Sequence, residues 1–495
     1  MRRARYAKDP VVDRALRHSV RDGMAFSVSA GGGETYFSAF ALFLGATAPQ
    51  VALLTTLPPL IGSLAQLASA WAGRFTSRKR LVLAGAGLQA LTWLPILALP
   101  YLLIEHAVAV LLVLFVLYHA AGNFAAPQWT SIMRDLVADR RRGRYFGYRT
   151  RRTTITSFAA LVFCGLLLHL FDAGGATYGG YVVIFAIAFV ARSLSVYHLT
   201  YLHEPPTPQA AAIDVHLGSW WRTVKESGAV GFTAYFVLMN FAVGIASPFF
   251  TVYMLRDLEL TYLEFTALTG ASVFLQFLTL NGWGRIADVY GNRAIMIVTS
   301  MSLPVVPLLW LVSGNFYYLL AVQCVSGLTW AGFTLSAGNL LYDLVPRSRR
   351  AAYVAFHNVG NAGFVFIGAM LGAALAPTLP RVDPWLGGAA NPSNLLYLFA
   401  LSGIVRGALA LGFARDIREL RKPRRAISAP ALVLRITGFN AMLGLIYDFI
   451  GRAPSAADAP KLDRPAEAGS RSVAEAEPAS RAPPGAREPG CERNV

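Results

Sequence analysis

The sequence predicts an all-α polytopic membrane protein: twelve transmembrane helices arranged as two pseudo-symmetric six-helix bundles. Three observations lead there. The 495 residues are 55% hydrophobic and only 14% charged, against about a quarter charged in an ordinary soluble domain. The charges are also segregated. They crowd into the first two dozen positions, a few short loops and the C-terminal region, leaving apolar stretches such as Val51–Ala72, Leu81–Ile104 and Ala107–Pro127. Each is about the roughly 20 residues that a helix needs to cross a bilayer. Finally, motifs of the first half recur in the second at a nearly constant spacing.

Spans are expected at Met24–Ala46, Val51–Ala72, Leu81–Ile104, Ala107–Met133, Thr153–Phe171 and Gly179–Leu202, then at Gly228–Leu255, Tyr262–Trp283, Ala294–Ser313, Phe316–Val345, Ala351–Ala376 and Asn394–Ala414. An even number places both termini on one side. Loops on that side hold 26 lysines and arginines before the tail; the opposite loops hold Arg256 and Arg381 alone. The positive-inside bias therefore makes the basic side cytoplasmic, and the expected location is the cell (inner) membrane. The basic start runs into further charge rather than a short apolar core, so no cleavable leader is expected.

The domain plan follows. Residues 1–22 are a basic cytoplasmic segment, 23–202 the first bundle, 203–227 a cytoplasmic linker and 228–414 the second bundle. In the linker Pro205, Pro206 and Pro208 resist helix continuation, and Trp220 and Trp221 suit the headgroup level. Segment 415–452 is basic and then apolar on most sides, but Arg435 would be costly in lipid; an interfacial amphipathic helix is expected there. Residues 453–495, rich in Ala, Pro, Glu and Arg, have the composition of a disordered tail. A net charge of +17 would suggest nucleic acid in a soluble protein, but here it marks one membrane face. Cys164, Cys324 and Cys491 have no metal or redox spacing, and no cofactor is expected.

The repeat is explicit. Asp135-Leu-Val137 followed by Arg141-Arg-Gly-Arg-Tyr145 matches Asp343-Leu-Val345 followed by Arg349-Arg-Ala-Ala-Tyr353. Gly73-Arg74 after the second span matches Gly284-Arg285 after the eighth, and Arg192 in the sixth matches Arg406 in the twelfth. Parallel repeats of this kind build a central cavity between two rocking halves. The loop Gly284-Arg-Ile-Ala-Asp288-Val-Tyr-Gly291-Asn-Arg293 resembles the G-x-x-x-D-x-x-G-x-R/K signature of the major facilitator superfamily. The first-half copy, Gly73 to Arg80, is shorter and lacks the Asp and the second Gly. The resemblance covers about residues 20–415. It implies that fold, a cavity lined by spans one, four, seven and ten, and a gate. In the gate, Gly284, Asp288, Gly291 and Arg293 would meet the start of span five near Arg151 and Arg152, where a helix N-terminus attracts a carboxylate.

Glu34 is the one carboxylate expected deep inside a span, directly after Gly31-Gly32-Gly33, which leave room around the backbone. An acid in hydrocarbon faces the bundle interior, paired or protonated. It is a candidate proton-coupling or substrate-cation site; the alternative is a buried ion pair with Arg192. Arg192 and Arg406 are expected to pair within their bundles rather than bind ligand. His119, Asn123 and Gln128, with Asn240, Gln323, Trp330 and Asn339, would furnish a polar, aromatic-walled cavity, or simply bond neighbouring helices for about 1 kcal/mol each. In span eleven Gly360, Gly363, Gly368 and Gly372 should allow close helix contact.

The leading expectation is a monomeric secondary transporter in the lipid bilayer, moving a small-molecule substrate by alternating access with protons as the candidate coupling ion. A transporter-like sensor or accessory protein is the alternative. An intramembrane enzyme is third: no H-E-x-x-H, no G-x-S-x-G and no Walker phosphate loop occurs.

Overall fold

The computed structural model describes residues 6–73, 75–102, 106–205, 229–345, 350–389 and 391–413. Most of the expected linker, the interfacial helix and the tail lie outside the described residues. Eleven spans among those described are long and apolar enough to cross a bilayer; a broken first span brings the set to the twelve expected. Among the described residues the one β feature is an isolated bridge between Val382 and Ser393.

The first helix begins at Pro10, well before the expected Met24, because Asp9 caps it: its Oδ1 accepts from Val11 N at 2.8 Å, and Pro10 takes the first position. The helix runs Pro10–Gly32 and stops in the glycine triplet; one 3-10 turn, Glu34–Tyr36, then leads into Phe37–Phe43. The seventh span breaks at the matching place, between Val230–Gly244 and Phe249–Val252, and closes with a π turn, Tyr253–Asp257. The third and ninth spans break as well, into Arg78–Leu91 with Trp93–Leu102, and Asn292–Ser302 with Val305–Leu309. The duplication is thus written in the backbone breaks. The remaining spans are continuous: Ala48–Ala72, Ala107–Leu136, Asp139–Ala173, Thr177–Thr200, Tyr262–Tyr290, Phe316–Leu344, Arg350–Leu375 and Leu395–Phe413.

Two basic loops turn out to be largely helix. Span five starts at Asp139, not Thr153, since Asp139 in the first turn suits the helix dipole, pairs with Arg142 at 2.6 Å, and the arginines between are good helix formers. Span eight continues through Gly284 to Tyr290, so the turn expected over ten residues is Gly291 alone, at φ 86°. That left-handed value favours glycine.

Proline removes a backbone donor, and lipid offers no substitute. Pro307 cannot serve the Leu303 carbonyl four residues back; Arg406, buried in span twelve, donates to it from Nη1 at 3.3 Å. One turn earlier on the same helix, Ser402 Oγ donates to the Ala242 carbonyl at 2.5 Å beside the break in span seven. The expected ion pair is not formed: among the described residues no salt bridge includes Arg406, and its Nε is buried without a partner. A loop after span eleven clasps the same bundle, with Trp385 N on Leu311 O, Leu386 N on Val312 O, and Ser393 Oγ on Asp257 Oδ2 at 2.5 Å.

With no hydrophobic force between helices in lipid, close approach decides packing. In both halves the first helix meets the fifth through glycine. A Cβ on Gly31 would lie 2.2 Å from Ser157 O, one on Gly368 2.1 Å from Phe241 O, and one on Gly372 2.4 Å from Ile245 O. Gly360, by contrast, faces open space, and Gly363 comes only within 4.0 Å of Leu60; half the expected stripe packs. Gly368→Ala should therefore cost about 1–3 kcal/mol by overpacking, read as a lower melting temperature in detergent. Gly147→Ala, with nothing within 4 Å, should leave melting unchanged or slightly raised.

Candidate functional site

The interior of the first bundle holds a chain of polar groups. Because the glycine triplet and the 3-10 turn break span one, Glu34 leaves the regular helical path and stays half-buried. Its Oε1 accepts a 2.5 Å hydrogen bond from the fully buried Tyr118 of span four. Arg192 does not pair with it directly: among the described residues no salt bridge joins them. Arg192 Nη1 donates to Ser195 Oγ at 2.5 Å, Ser195 Oγ donates to Asp22 Oδ1 at 2.6 Å, and the guanidinium lies 4.7 Å over the Phe26 ring. Asp22 Oδ2 also meets Arg149 Nη2 at 3.5 Å.

Asp22, with only 5% of its surface exposed, is a second buried acid that the expected span limits hid. It sits on the part of the first helix that precedes the expected span limit at Met24. The hint was periodicity: Leu16, Ser19, Val20, Gly23 and Ser27, three and four apart, are all buried, as a helix face would be.

The other cavity candidates divide. Asn123 receives Gln66 Nε2 at 2.8 Å and donates to His119 O at 2.9 Å, while Gln128 ties span four to Ser69 O at 2.8 Å. Asn339 bonds Asn292 at 2.9 Å and Asn240 bonds Phe236 O at 2.8 Å. The bonds to Gln66, Ser69 and Asn292 join neighbouring helices, whereas those to His119 O and Phe236 O stay within one helix. His119, edge-on to Phe115 at 4.5 Å, remains half-buried, as do Gln323 and Trp330, the latter edge-on to Phe333 at 5.8 Å. Among the described residues no three His, Cys, Asp or Glu side chains gather as a metal site requires.

The bundles meet unevenly. Call the end bearing the arginine-rich loops the basic face. At the opposite face a single apolar core runs through both halves, joining Tyr36, Phe37, Cys164 and Tyr181 to Phe249, Tyr253, Phe265 and Trp310. Tyr181 meets Tyr262 at 5.9 Å, Tyr36 meets Phe265 at 6.3 Å, and Phe158 meets Phe274 at 5.5 Å near mid-membrane. At the basic face each half has its own core, around Leu16, Ile132 and Tyr145 in one and Phe232, Phe333 and Tyr353 in the other. There Asp288, Arg293, Arg151 and Arg152 are exposed and Gly284 faces open space.

The tie across the closed end is Tyr36. Its hydroxyl lies 2.7 Å from Leu161 O and 3.0 Å from Thr266 Oγ1, while Thr266 itself donates to Tyr262 O at 2.7 Å. Three contacts share two hydroxyl protons. Gly165 makes the approach possible, for a Cβ there would lie 2.1 Å from Thr266 Oγ1 and 2.5 Å from the Tyr36 oxygen.

The paired six-helix architecture has counterparts among known proteins. A model described as Major Facilitator Superfamily matches residues 231–447. That match lies in the second half of the chain and covers less than half of its length. The multidrug resistance protein MdtG of Serratia proteamaculans is 30% identical over 94 residues, 19% of this chain and 23% of that relative; the match thus spans about a quarter of the relative's length. Among solved structures, the nucleoside transporter NupG superposes with TM-score 0.61 at 12% identity, over 82% of this chain and 99% of that one. A bacterial homologue of the human lysosomal transporter Spinster, inward-facing and unoccupied, gives 0.58 at 12% identity over 83% and 98%. At such identities the likeness is one of fold.

One functional-looking cluster was missed by sequence reasoning. Arg78 pairs with Asp135 at 2.7 Å and Glu204 at 3.1 Å, and bonds Ser131 Oγ at 3.1 Å, clamping spans three, four and six at the basic face. The sequence marks Asp135 only as a repeated position. Burial alone would raise the Glu204 carboxyl, but the Arg78 guanidinium and the Lys79 and Arg78 backbone N–H groups outweigh it and hold it below its ordinary value. A depressed acid lends stability that is present above its unfolded pKa and lost as pH falls through the folded one. Melting temperature should therefore drop on acidification below about pH 4, and Glu204→Gln should flatten that dependence.

Proposed function

We propose that this chain is a secondary transporter that moves a small organic solute by alternating access, with Glu34 as its proton-coupling site. The observation that carries the reading is the core joined across both bundles at one face and divided at the other, which is one end state of a rocking pair. The positive-inside bias assigns the basic face to the cytoplasm, so this end state is inward-facing and both termini lie inside. A carboxylate in a break in a span, held by one tyrosine and half-buried, is expensive in lipid and is kept for work.

Solute recognition falls to His119 on the first bundle and Gln323, Trp330 and Asn240 on the second. Neutral hydrogen-bonding groups beside aromatic faces suit a small organic molecule better than an inorganic ion. In the opposite end state Asp288 would close on Arg151 and Arg152, which stand exposed about three turns inside span five rather than at its N-terminus, so that the contact would be one of side-chain charges.

Two measurements in proteoliposomes test this. Glu34→Gln should abolish uptake or efflux driven by a pH gradient while sparing solute exchange; equal loss of both modes in well-folded protein would leave Glu34 structural. Gly165→Ala should wedge Thr266 and Tyr36 apart and raise labelling of reporter cysteines from the outer side by about tenfold, the equivalent of some 1.4 kcal/mol. Unchanged labelling would count against closure at Tyr36.

A further inference from the structure

Where spans one and six meet at the basic face, the surface carries positive charge that no acid among the described residues answers. Arg14 and Arg21 are exposed on the first helix, and His18 lies half-buried between them, four residues from one and three from the other. That spacing puts all three on one helix face, over about 10 Å of its axis. Among the described residues neither Arg14 nor Arg21 makes a salt bridge or a side-chain hydrogen bond. The acids of the same helix are engaged elsewhere. Asp9 caps its start, Asp13 meets Arg17 and the Tyr6 N–H, and Asp22 turns inward to Ser195 and Arg149.

Span six comes up beside them. His18 stacks on Tyr201 at 4.1 Å, and its Nδ1 meets Nδ1 of His198 at 3.2 Å, one donating and the other accepting. Tyr201 in turn bonds Tyr197, hydroxyl to hydroxyl, at 3.1 Å. That bond uses one of two protons, so one hydroxyl of this exposed pair keeps a donor to offer. Toward the membrane interior the same face of span six is apolar and uncovered. Val190, Leu194, Tyr197 and Tyr201 recur four, three and four residues apart, each exposed by 40% or more. The stripe runs about 17 Å along the axis, close to half of a bilayer's hydrocarbon core of about 30 Å. Tyrosines at its end suit the headgroup level.

We propose that this face binds an anionic phospholipid of the leaflet on the basic side, with an acyl chain along Val190 and Leu194 and the phosphodiester among Arg14, His18, Arg21 and the Tyr197–Tyr201 pair. Each part of the lipid meets its complement: an apolar track one leaflet deep, hydroxyl and imidazole groups at headgroup level, and two arginines whose charge is otherwise left to solvent. Bound there, the lipid joins span one to span six from outside the bundle. It involves neither Glu34 nor the cavity side chains, so it stands apart from the reading of the solute site.

The test titrates full-length protein, delipidated in a neutral detergent, with phosphatidylglycerol and, in parallel, with phosphatidylcholine of the same chains. Binding is read by native mass spectrometry and by melting temperature. Phosphatidylglycerol should bind and raise the melting temperature with concentration, and phosphatidylcholine should bind about tenfold more weakly or worse. Arg14→Gln and Arg21→Gln should each weaken phosphatidylglycerol about fivefold, with the melting of lipid-free protein unchanged because neither side chain holds the fold. Tyr197→Phe, which removes the spare hydroxyl donor, should weaken it further. The matched pair Arg140→Gln and Arg144→Gln, exposed on span five, removes the same charge and should leave the affinity as it is. Equal weakening by that pair would reduce the effect to net charge and overturn the lipid seat, as would full affinity in the Arg14→Gln, Arg21→Gln double variant. Stabilisation by inorganic phosphate equal to that by the lipid would give the arginines to a soluble anion and overturn it too.

Discussion

Lipid offers no hydrogen bonds, so every polar group placed at membrane depth must be answered from within the protein. This constraint organises the molecule. Four spans are broken, and near the breaks the second bundle supplies Arg406 and Ser402 to carbonyls of spans nine and seven. In the first bundle the same rule is applied to charge. Glu34 is answered by Tyr118, Arg192 by Ser195, and Asp22 by Ser195 and Arg149. The equivalent arginines of the repeat therefore have different duties. Arg406 mends backbone, whereas Arg192 sits in an ionic network.

That divergence separates the roles of the halves. The second bundle is stapled by its loop, with Ser393 on Asp257 and Leu386 on Val312, and its described membrane interior holds its buried charge against backbone. The first bundle concentrates its titratable groups between spans one, four, five and six. In one half the buried arginine answers backbone, and in the other the buried charges answer one another, although both halves share one pattern of helices.

Much of this was legible in the sequence. Apolar length and charge segregation gave the spans, and recurrence of Asp135 and Asp343 or Arg192 and Arg406 gave the duplication. Glycines before Glu34 marked a place of close approach, and the break there came from the structure. What escaped lay at the ends of helices, where charged residues read as loop. The helical start of span five at Asp139 and of span one at Pro10 are both built from charged turns, which hydropathy takes for solvent. Asp22 was lost with the latter. Partnerships were lost for a different reason: Tyr118, Arg78 and Tyr36 act across distances of 53 to 230 residues in the chain, and no periodicity encodes which side chain waits opposite.

The hydroxyl of Tyr36 has one consequence beyond closure. Its contacts with Leu161 and Thr266 always leave the set a hydrogen short, so the clasp on that side is never fully made. A complete bond in so dry a place would be slow to release. An incomplete one leaves the seam easier to part.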